Sequence, residues 1–288
     1  MATVTDSKES RKQRSDVTLG YLRPGKKFPN VWCPGCGIGV VMGAFIRALD
    51  KLGYGKDEVV MVSGIGCSSR MPVYMDFNSL HTTHGRALPF ATGVKFARPE
   101  MKVVVITGDG DALAIGGNHF IHACRRNIDI TTIVMNNNIY GMTGGQGSPT
   151  TPANAFSTTT PYGNSEKHFD ACELAKAAGA TWVGRGTVYH TPQLENLITK
   201  ALEHKGFSLV EAVSNCHTYF GRLNRQGDAV TMLQSFKENA VMASKAKSMT
   251  KEELEGKFTI GVLHDDTQTS EFCDEYRMLV ERVRAKKK

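Results

Sequence analysis

Two short apolar stretches of the sequence each lead directly into polar and glycine residues that could bind a phosphorylated ligand. Residues 103–107 lead into Gly108-Asp109-Gly110-Asp111, and residues 130–135 lead into Asn136-Asn137-Asn138. β-branched runs of this length are typical of buried parallel strands, and residues 112–127 are long enough for one crossover helix between them. The acid and the amide are therefore expected at one carboxyl edge of a sheet, where open α/β sheets bind ligands. Because carboxylate, amide and carbonyl oxygens suit Mg²⁺, the sequence predicts a magnesium–diphosphate site.

Cysteines form the second group of residues whose spacing indicates chemistry. Cys33 and Cys36 lie in Trp32-Cys33-Pro34-Gly35-Cys36-Gly37 just before a predicted helix, Cys67 follows a predicted strand, and Cys216 lies just past the last one. Four thiols at such element ends could complete a tetrahedral sulfur site suited to zinc or to an iron–sulfur cluster. A thioredoxin-type redox pair is the alternative for Cys33 and Cys36. The spacing favours a metal but does not name it, and Cys124, Cys172 and Cys273 are assigned to the core.

The elements that must position these residues follow from apolar periodicity. Amphipathic stretches alternate with β-branched ones, which predicts an α/β fold with a doubly wound, mostly parallel sheet. The predicted helices span 38–52, 88–97, 171–178 and 193–204, and the predicted strands span 59–62, 103–107, 130–135, 181–183 and 207–213. Residues 141–169 form a loop so long that a functional role is expected.

Three parts are predicted along the chain. Residues 1–20 are expected to form a mobile basic tail, 21–227 the α/β domain that binds the cofactors, and 228–288 a charged helical extension with few core residues. No apolar run reaches the length of a membrane span and the start of the chain is not signal-like. We therefore expect a cytoplasmic protein without a membrane partner, in which structural disulfides are not expected.

The charge of the chain bears on its partners. Lys and Arg number 35 against 28 Asp and Glu, a net charge of +7 whose excess sits mainly near the two ends. Solvated tails are the ordinary interpretation of such ends, and a docking surface for an acidic partner is the functional one. No basic motif interleaved with aromatic residues is present, so a nucleic-acid partner is not expected.

Five motifs, in order over residues 20–225, together resemble the beta subunit of the 2-oxoacid:ferredoxin oxidoreductases, most closely the 2-oxoglutarate type. They are Trp32-Cys33-Pro34-Gly35-Cys36-Gly37, Ser63-Gly64-Ile65-Gly66-Cys67-Ser68, His81-Thr82-Thr83-His84-Gly85-Arg86-Ala87, Gly108-Asp109-Gly110-Asp111, and Asn137-Asn138-Ile139-Tyr140-Gly141-Met142-Thr143-Gly144-Gly145-Gln146. The resemblance implies the diphosphate-binding fold of thiamine enzymes.

The same resemblance implies thiamine diphosphate with Mg²⁺ and one [4Fe–4S] cluster on this chain. Side-chain oxygens of Asp109 and Asn137 and the carbonyl of Ile139 would bind Mg²⁺, and Cys33, Cys36, Cys67 and Cys216 would hold the cluster, with Cys67 touching both cofactors. The other implied cofactor-binding residues are Ile65, Gly66, Ser68, His84, Gly85, Arg86, Gly108, Gly110, Asp111, Ala112, Gly141 and Met142. The family commonly has a proline beside its last cysteine, where this chain has Asn215 and His217.

The implied reaction is the oxidative decarboxylation of a 2-oxoacid, with the acyl group passing to coenzyme A and the electrons to ferredoxin through the cluster. The expected substrate is 2-oxoglutarate. Pyruvate or another 2-oxoacid is the alternative, as are a non-oxidative thiamine decarboxylase and a non-catalytic electron-transfer or zinc scaffold subunit. His84 is a candidate for proton transfer, and Arg70 for contact with a distal carboxylate of the substrate.

A second domain is missing for this chemistry. In thiamine enzymes of this kind a glutamate on a pyrimidine-binding domain activates the cofactor, and no such domain fits in the remaining length of the chain. The resemblance therefore implies an alpha subunit that carries this domain, in an α2β2 assembly.

Overall fold

Eight strands form one sheet in the order β2-β1-β3-β4-β8-β7-β10-β9, and a separate pair is formed by β5 and β6. The structure is a computed structural model that describes residues 17–25 and 29–286. The strands are β1 (Val59–Ser63), β2 (Asn78–His81), β3 (Lys102–Gly108), β4 (Thr131–Asn136), β5 (Ile139–Tyr140), β6 (Gln146–Gly147), β7 (Trp182–Thr187), β8 (Ser208–Val213), β9 (Ala240–Met242) and β10 (Phe258–Asp265).

Besides a helical turn at residues 17–20, nine α-helices are described within these ranges. They are α1 (Ile38–Leu52), α2 (Met71–Tyr74), α3 (Ala87–Ala97), α4 (Gly117–Arg126), α5 (Ala171–Ala177), α6 (Thr191–Glu203), α7 (Ala229–Asn239), α8 (Ala243–Ala246) and α9 (Phe272–Ala285). A 3₁₀ turn covers Ser68–Arg70, and π-helical turns cover Asp111–Ile115 and His217–Gly221. None of the helices described is long and apolar enough to cross a membrane.

The sheet is mostly parallel, as the sequence predicts. Following the order in the eight-stranded sheet, each neighbouring pair from β2 to β7 is parallel. In this sheet only β10 runs antiparallel to a neighbour, β7. Side chains alternate between two cores on opposite faces: Val104 and Ile106 of β3 pack in one, and Val103 and Val105 in the other. Because both faces are buried, the β-branched run of β3 is continuous rather than alternating. All the parallel strands therefore end at one edge of the sheet.

Helix α1 holds the cysteine pair against the sheet. It begins at Ile38, two residues after Cys36, and its buried stripe includes Val41, Phe45 and Leu49 at helical spacing. Gly53 ends it in the left-handed conformation at φ 71°, where its N–H bonds to carbonyls of the last turn. The bounds predicted for this helix are confirmed.

Three differences from the sequence predictions concern local structure. The crossover between β3 and β4 is not one α-helix, because the π-helical turn Asp111–Ile115 precedes α4. The region 228–288 is not wholly helical, because β10 pairs with β7 and β9 pairs with β10. Its charged surroundings hid the half-buried pattern of β10. Residues 17–20 of the predicted mobile tail are helical, and residues 1–16 lie outside the described residues.

Candidate cofactor site

A cavity of about 160 Å³ lies at the carboxyl ends of β1, β3 and β4. It is lined by Ile38, Ile65, Gly66, Cys67, Ser68, His84, Gly108, Asp109, Gly110, Asp111, Met135, Asn137, Ile139, Tyr140, Gly141, Met142 and Thr143. Most of the predicted cofactor-binding residues are therefore brought to one place. The cavity is smaller than the roughly 300–1,000 Å³ usual for cofactor pockets, so this chain by itself encloses only part of a cofactor of that size.

Asp109 is a buried carboxylate at the end of β3. Its Oδ2 accepts hydrogen bonds from the Ser148 hydroxyl at 2.7 Å and from the Thr150 hydroxyl at 2.6 Å. Burial raises the pKa of Asp109 to about 6, although the two hydroxyls oppose the shift. A buried carboxylate with a raised pKa gains from a nearby cation, which replaces the solvation that it has lost. This environment fits a divalent metal ion.

The three consecutive asparagines after β4 have different roles. Asn136 is used by the fold, since its Nδ2 donates to Glu211 Oε1 at 2.7 Å and its Oδ1 accepts from Thr150 and from the Asn138 N–H. Asn137 lines the cavity, and its Oδ1 accepts one long bond of 3.3 Å from the Ile139 N–H. Asn137 is thus the asparagine of the three that presents its side chain to the cavity beside Asp109.

Asp111 lines the cavity but its oxygens are already engaged. Oδ1 accepts from the Gly85 N–H at 2.7 Å and pairs with His84 Nδ1 at 2.6 Å, and Oδ2 accepts from the Thr107 hydroxyl at 2.7 Å. The carboxylate therefore joins three segments that surround the cavity. Because a carboxylate oxygen can only accept, His84 donates to Asp111 through Nδ1, and Nε2 is the ring nitrogen without this partner.

Tyr140 and Gly66 both line the cavity, but the sequence predicts a cofactor-binding role only for Gly66. Tyr140 was not singled out, yet its hydroxyl donates to the Gly110 carbonyl at 3.1 Å and its ring lines the cavity. Burial, together with the charges of Asp109 and Asp111, raises the pKa of Tyr140 to about 12, so the phenol stays protonated. Gly66 has φ 126°, which favours glycine, and a side chain there would point into open space. The signal for Tyr140 was its place between Asn137 and Gly141.

Four predicted residues do not line the cavity. Arg70 is exposed at the end of the 3₁₀ turn, and its guanidinium has no hydrogen bond or ion pair with another described residue. The Arg86 guanidinium donates to the carbonyls of Gly85 and Ile115 instead. Gly85 and Ala112 line a small neighbouring cavity on the other side of Asp111. Within this chain, the structure does not bring either arginine to the cavity.

The four predicted cysteines lie close together beside this cavity. Burial raises the pKa of Cys36 to about 12, and the charges of Cys216, Cys67 and Cys33 add to the shift. Burial likewise raises the pKa of Cys67 to about 11. A methyl group on Gly141 would lie 3.5 Å from the Cys67 sulfur and 3.6 Å from the Cys216 sulfur. The loop that follows Asn137 therefore contacts both thiols.

The spacing of the thiols bears on which metal they suit. Tetrahedral Zn–S bonds of about 2.3 Å place ligand sulfurs about 3.8 Å apart. Among the described residues, the one group of three or more possible ligand atoms lying within 4.8 Å of one another is Asp170, Cys172 and Glu211, and there the Arg185 guanidinium already bridges the two carboxylates. No three of the four cysteine sulfurs lie that close. The site is too wide for a single zinc ion as it stands.

Comparisons with known proteins give three findings. The family model "Thiamine pyrophosphate enzyme, C-terminal TPP binding domain" matches residues 64–212, which include Asp109, Asn137 and Cys67. The chain is 51% identical over 267 residues to the 2-oxoglutarate synthase subunit KorB of Methanocaldococcus jannaschii, covering 93% of this chain and 98% of that protein. It is 53% identical over 265 residues to the subunit of the same name from Methanothermobacter marburgensis, covering 92% of each.

A solved structure agrees with these relatives. It is described as a 2-oxoglutarate:ferredoxin oxidoreductase from Magnetococcus marinus with 2-oxoglutarate, coenzyme A and succinyl-CoA bound. The match has a TM-score of 0.82 at 32% identity and covers 92% of this chain and 90% of the other.

Proposed function

Because the chain belongs to the beta subunits of the 2-oxoacid:ferredoxin oxidoreductases, within the thiamine pyrophosphate enzymes, we propose that it is the catalytic beta subunit of a CoA-dependent 2-oxoglutarate:ferredoxin oxidoreductase. The assembled enzyme converts 2-oxoglutarate and coenzyme A to succinyl-CoA and CO₂. The two electrons released pass one at a time to ferredoxin. The family resemblance inferred from the five motifs is confirmed by these relatives.

The observation that carries the proposal is the pair Asp109 and Asn137 at the edge of one cavity. We assign their side-chain oxygens and the Ile139 carbonyl as ligands of Mg²⁺. The diphosphate would then face the backbone N–H groups at the start of the helical turn after Gly108, where the helix dipole favours an anion. Thiamine diphosphate, when bound, supplies the electron sink for cleavage of the carbon–carbon bond to the leaving carboxylate.

The remaining residues of the cavity orient the cofactor and the substrate. Asp111 fixes His84 through Nδ1, which leaves Nε2 as the ring nitrogen available for proton transfer. Tyr140 keeps its proton and its hydroxyl donates to the Gly110 carbonyl, so this carbonyl already has a hydrogen-bond partner. His84 is our candidate for proton transfer at the substrate, and Arg70 remains a candidate only for a pocket that another chain completes.

A [4Fe–4S] cluster is the group that best fits the four cysteines. Their sulfurs are too far apart for zinc, and such a cluster takes four thiolates. Gly141 lines the cofactor cavity, and a methyl group placed on it would contact the sulfurs of both Cys67 and Cys216. This proximity supports a short path for electrons from the thiamine site to the cluster. The second candidate function, a zinc scaffold subunit, has no support from this geometry.

The cavity also supports a partner subunit. It is small, and the apolar side chains of Ile65 and Met142 on its rim are 37% and 42% exposed. Among the described residues that line it there is no glutamate. We assign the missing wall and the activating glutamate to an alpha subunit with a pyrimidine-binding domain, in an α2β2 assembly.

One oxygen-free preparation of the assembled enzyme tests this function. We expect about four iron and four sulfide per chain, bound thiamine diphosphate, and reduction of ferredoxin or a viologen dye that needs both 2-oxoglutarate and coenzyme A. A preference for pyruvate or another 2-oxoacid would correct the substrate while keeping the reaction. Zinc without thiamine diphosphate, or turnover that is independent of coenzyme A, would exclude the proposal.

A further inference from the structure

The three segments that carry the four cysteines are tied to one another by two hydrogen bonds from side chains to backbone. The indole N–H of Trp32, next to Cys33, donates to the carbonyl of Cys67 at 2.8 Å. The amide of Asn215, next to Cys216, donates to the carbonyl of Gly35 at 2.9 Å. The first bond links the Cys33–Cys36 loop to β1, and the second links the same loop to β8.

Both donors are held in place by packing. Trp32 is 8% exposed and its ring lies 5.4 Å from that of Tyr74. The Tyr74 hydroxyl in turn accepts from the N–H of Val31, so the segment before Cys33 is anchored on both sides of the indole. Asn215 is fully buried two residues after the end of β8. The hydrogen bonds between β8 and β4 continue up to it, because the Ser214 N–H donates to the Asn136 carbonyl. Neither bond can be exchanged freely for one with water.

The Cys33–Cys36 loop also approaches the end of β8 without spare room. A side chain on Gly37 would place its Cβ 2.6 Å from the Ser214 hydroxyl oxygen and 2.9 Å from Oδ1 of the Asn215 side chain. Both distances are shorter than real contacts of this kind, so glycine is needed for this approach. The hydrogen bond from the Asn215 amide therefore joins two segments that Gly37 allows to approach closely.

The residues around Cys216 carry an unusual concentration of unpaired polar atoms. Ser214 Oγ, Asn215 Oδ1 and His217 Nδ1 are three of the six buried side-chain atoms that lack a hydrogen-bond partner among the described residues. Buried polar groups are normally paired, and exceptions gather where a site is built for a group that is bound later. Because these atoms flank Cys216, they indicate a binding site at the same position as the four cysteines.

We propose that Trp32 and Asn215 are positioning residues that hold the Cys33–Cys36 loop at a set distance from Cys67 and Cys216, so that the four thiols are arranged before a cluster binds. The inference rests on the proposed function, because it assumes that these thiols hold an iron–sulfur cluster. It also gives a role to Asn215, which with His217 flanks Cys216, where the family commonly has a proline. Here an amide donor ties down the loop.

Two substitutions remove one donor each, and each has a control that matches its other effects. Trp32→Phe keeps an aromatic ring and deletes the indole N–H, and Asn215→Asp replaces the donating amide by an oxygen that faces the Gly35 carbonyl. Both are made in the full chain, prepared without oxygen together with the subunits that accompany it. Loss of a residue that orients metal ligands typically weakens metal binding by about 10- to 100-fold. We expect loss of iron to a chelator to accelerate within that range, with a changed EPR spectrum of the reduced cluster.

Matched controls separate positioning from general stability. Trp182→Phe alters the other tryptophan, which is buried in β7 and whose indole N–H has no partner among the described residues. Asn224→Asp alters an asparagine whose amide also ties two backbone segments, by donating to the Phe156 carbonyl at 2.9 Å. Both controls are expected to lower thermal stability while iron release and the EPR spectrum stay as in the unaltered protein.

The outcomes distinguish this inference from the function on which it rests. An unaltered protein without iron and sulfide overturns the proposed function and this inference with it. A fully loaded unaltered protein, with Trp32→Phe and Asn215→Asp variants that release iron at the same rate and give the same spectrum, overturns this inference alone. If Asn215→Asp fails to fold, Trp32→Phe decides the question, because the Trp182→Phe control matches its loss of ring volume.

Discussion

The hydroxyl of Thr150 lies 2.6 Å from Oδ2 of Asp109 and 3.0 Å from Oδ1 of Asn136. It therefore bridges the ends of β3 and β4 from a loop that neither strand belongs to. Asn136 continues the chain of contacts to Glu211 of β8. The long loop after Tyr140, for which the sequence predicts a functional role, takes part in the proposed metal site through this hydroxyl.

Thr150→Val tests that link, because it keeps the shape of the side chain and removes the donor. We expect the Kd for thiamine diphosphate in the presence of Mg²⁺ to rise about 10-fold or more, as for other residues that orient metal ligands. A fluorescence titration of the assembled enzyme measures it. Thr158→Val, in the same loop, is the control, since that hydroxyl has no partner in the described part of the chain. Equal affinities for both variants would show that Asp109 does not need Thr150.

Asp111→Ala tests whether this carboxylate is structural. The substitution leaves the buried Thr107 hydroxyl and the Gly85 N–H without their acceptor. We expect the free energy of unfolding to fall by about 3 kcal/mol or more, measured by urea denaturation. His84→Ala should cost far less, because His84 loses one bond at a half-exposed position. A loss below about 1 kcal/mol for Asp111→Ala would contradict the role of this carboxylate as a cross-link.

Gly141 offers a test graded by size. Alanine at this position would make ordinary contacts with the sulfurs of Cys67 and Cys216, whereas the branched side chain of valine would extend between them. We expect Gly141→Val to lower the iron content and the affinity for thiamine diphosphate together, and Gly141→Ala to lower both much less. Iron analysis and cofactor titration on the same preparations measure the two effects. A change in one property alone would argue that the two sites do not share this residue.

Asp129 allows a prediction on pH that is independent of the cofactor sites. It is buried and pairs with Lys95 at 2.6 Å. Burial alone would raise the pKa of Asp129, but Lys102 and Lys95 outweigh it and the pKa is lowered. The carboxylate therefore contributes stability above the unfolded pKa of about 3.9, and this is lost as the pH falls through the lower folded value.

Asp129→Asn should remove that dependence. We expect the variant to be less stable than the unaltered chain by about 3 kcal/mol at pH 7. The difference between the two proteins should shrink as the pH falls from about 4 through the lowered pKa of folded Asp129, because both proteins then come to carry an uncharged side chain. Urea denaturation at a series of pH values measures it. A difference that stays constant down to about pH 2 would contradict the assignment.

The incomplete cavity predicts that the chain alone is inactive. Without a second wall the cofactor would lie partly in water and lack the glutamate that activates it. We expect no CoA-dependent reduction of ferredoxin by the isolated chain and recovery when the alpha subunit is added. Sustained turnover by the isolated chain would exclude a pocket shared between subunits.

The sequence alone predicts the functional residues that lie at the end of a helix or a strand. Helix α1 was predicted with its bounds, because its apolar stripe and its terminal glycine are local signals. The positions of Asp109 and Asn137 followed from two β-branched strands that must run parallel and end at one edge. The four cysteines were likewise placed at the ends of elements, and the family resemblance indicated thiamine diphosphate, for which the matching family model is named.

The tertiary structure alone decided how these residues are held. Asn136 and Asn137 are chemically identical neighbours, and only the position of Glu211 and Thr150 makes one structural and leaves the other for the cavity. The bond from Asn215 to Gly35 spans 180 positions, and that from Thr150 to Asp109 spans 41. Periodicity reports on which face of its own element a residue lies. It carries no information about which distant segment will meet that face, because the order of the strands in the sheet determines those contacts.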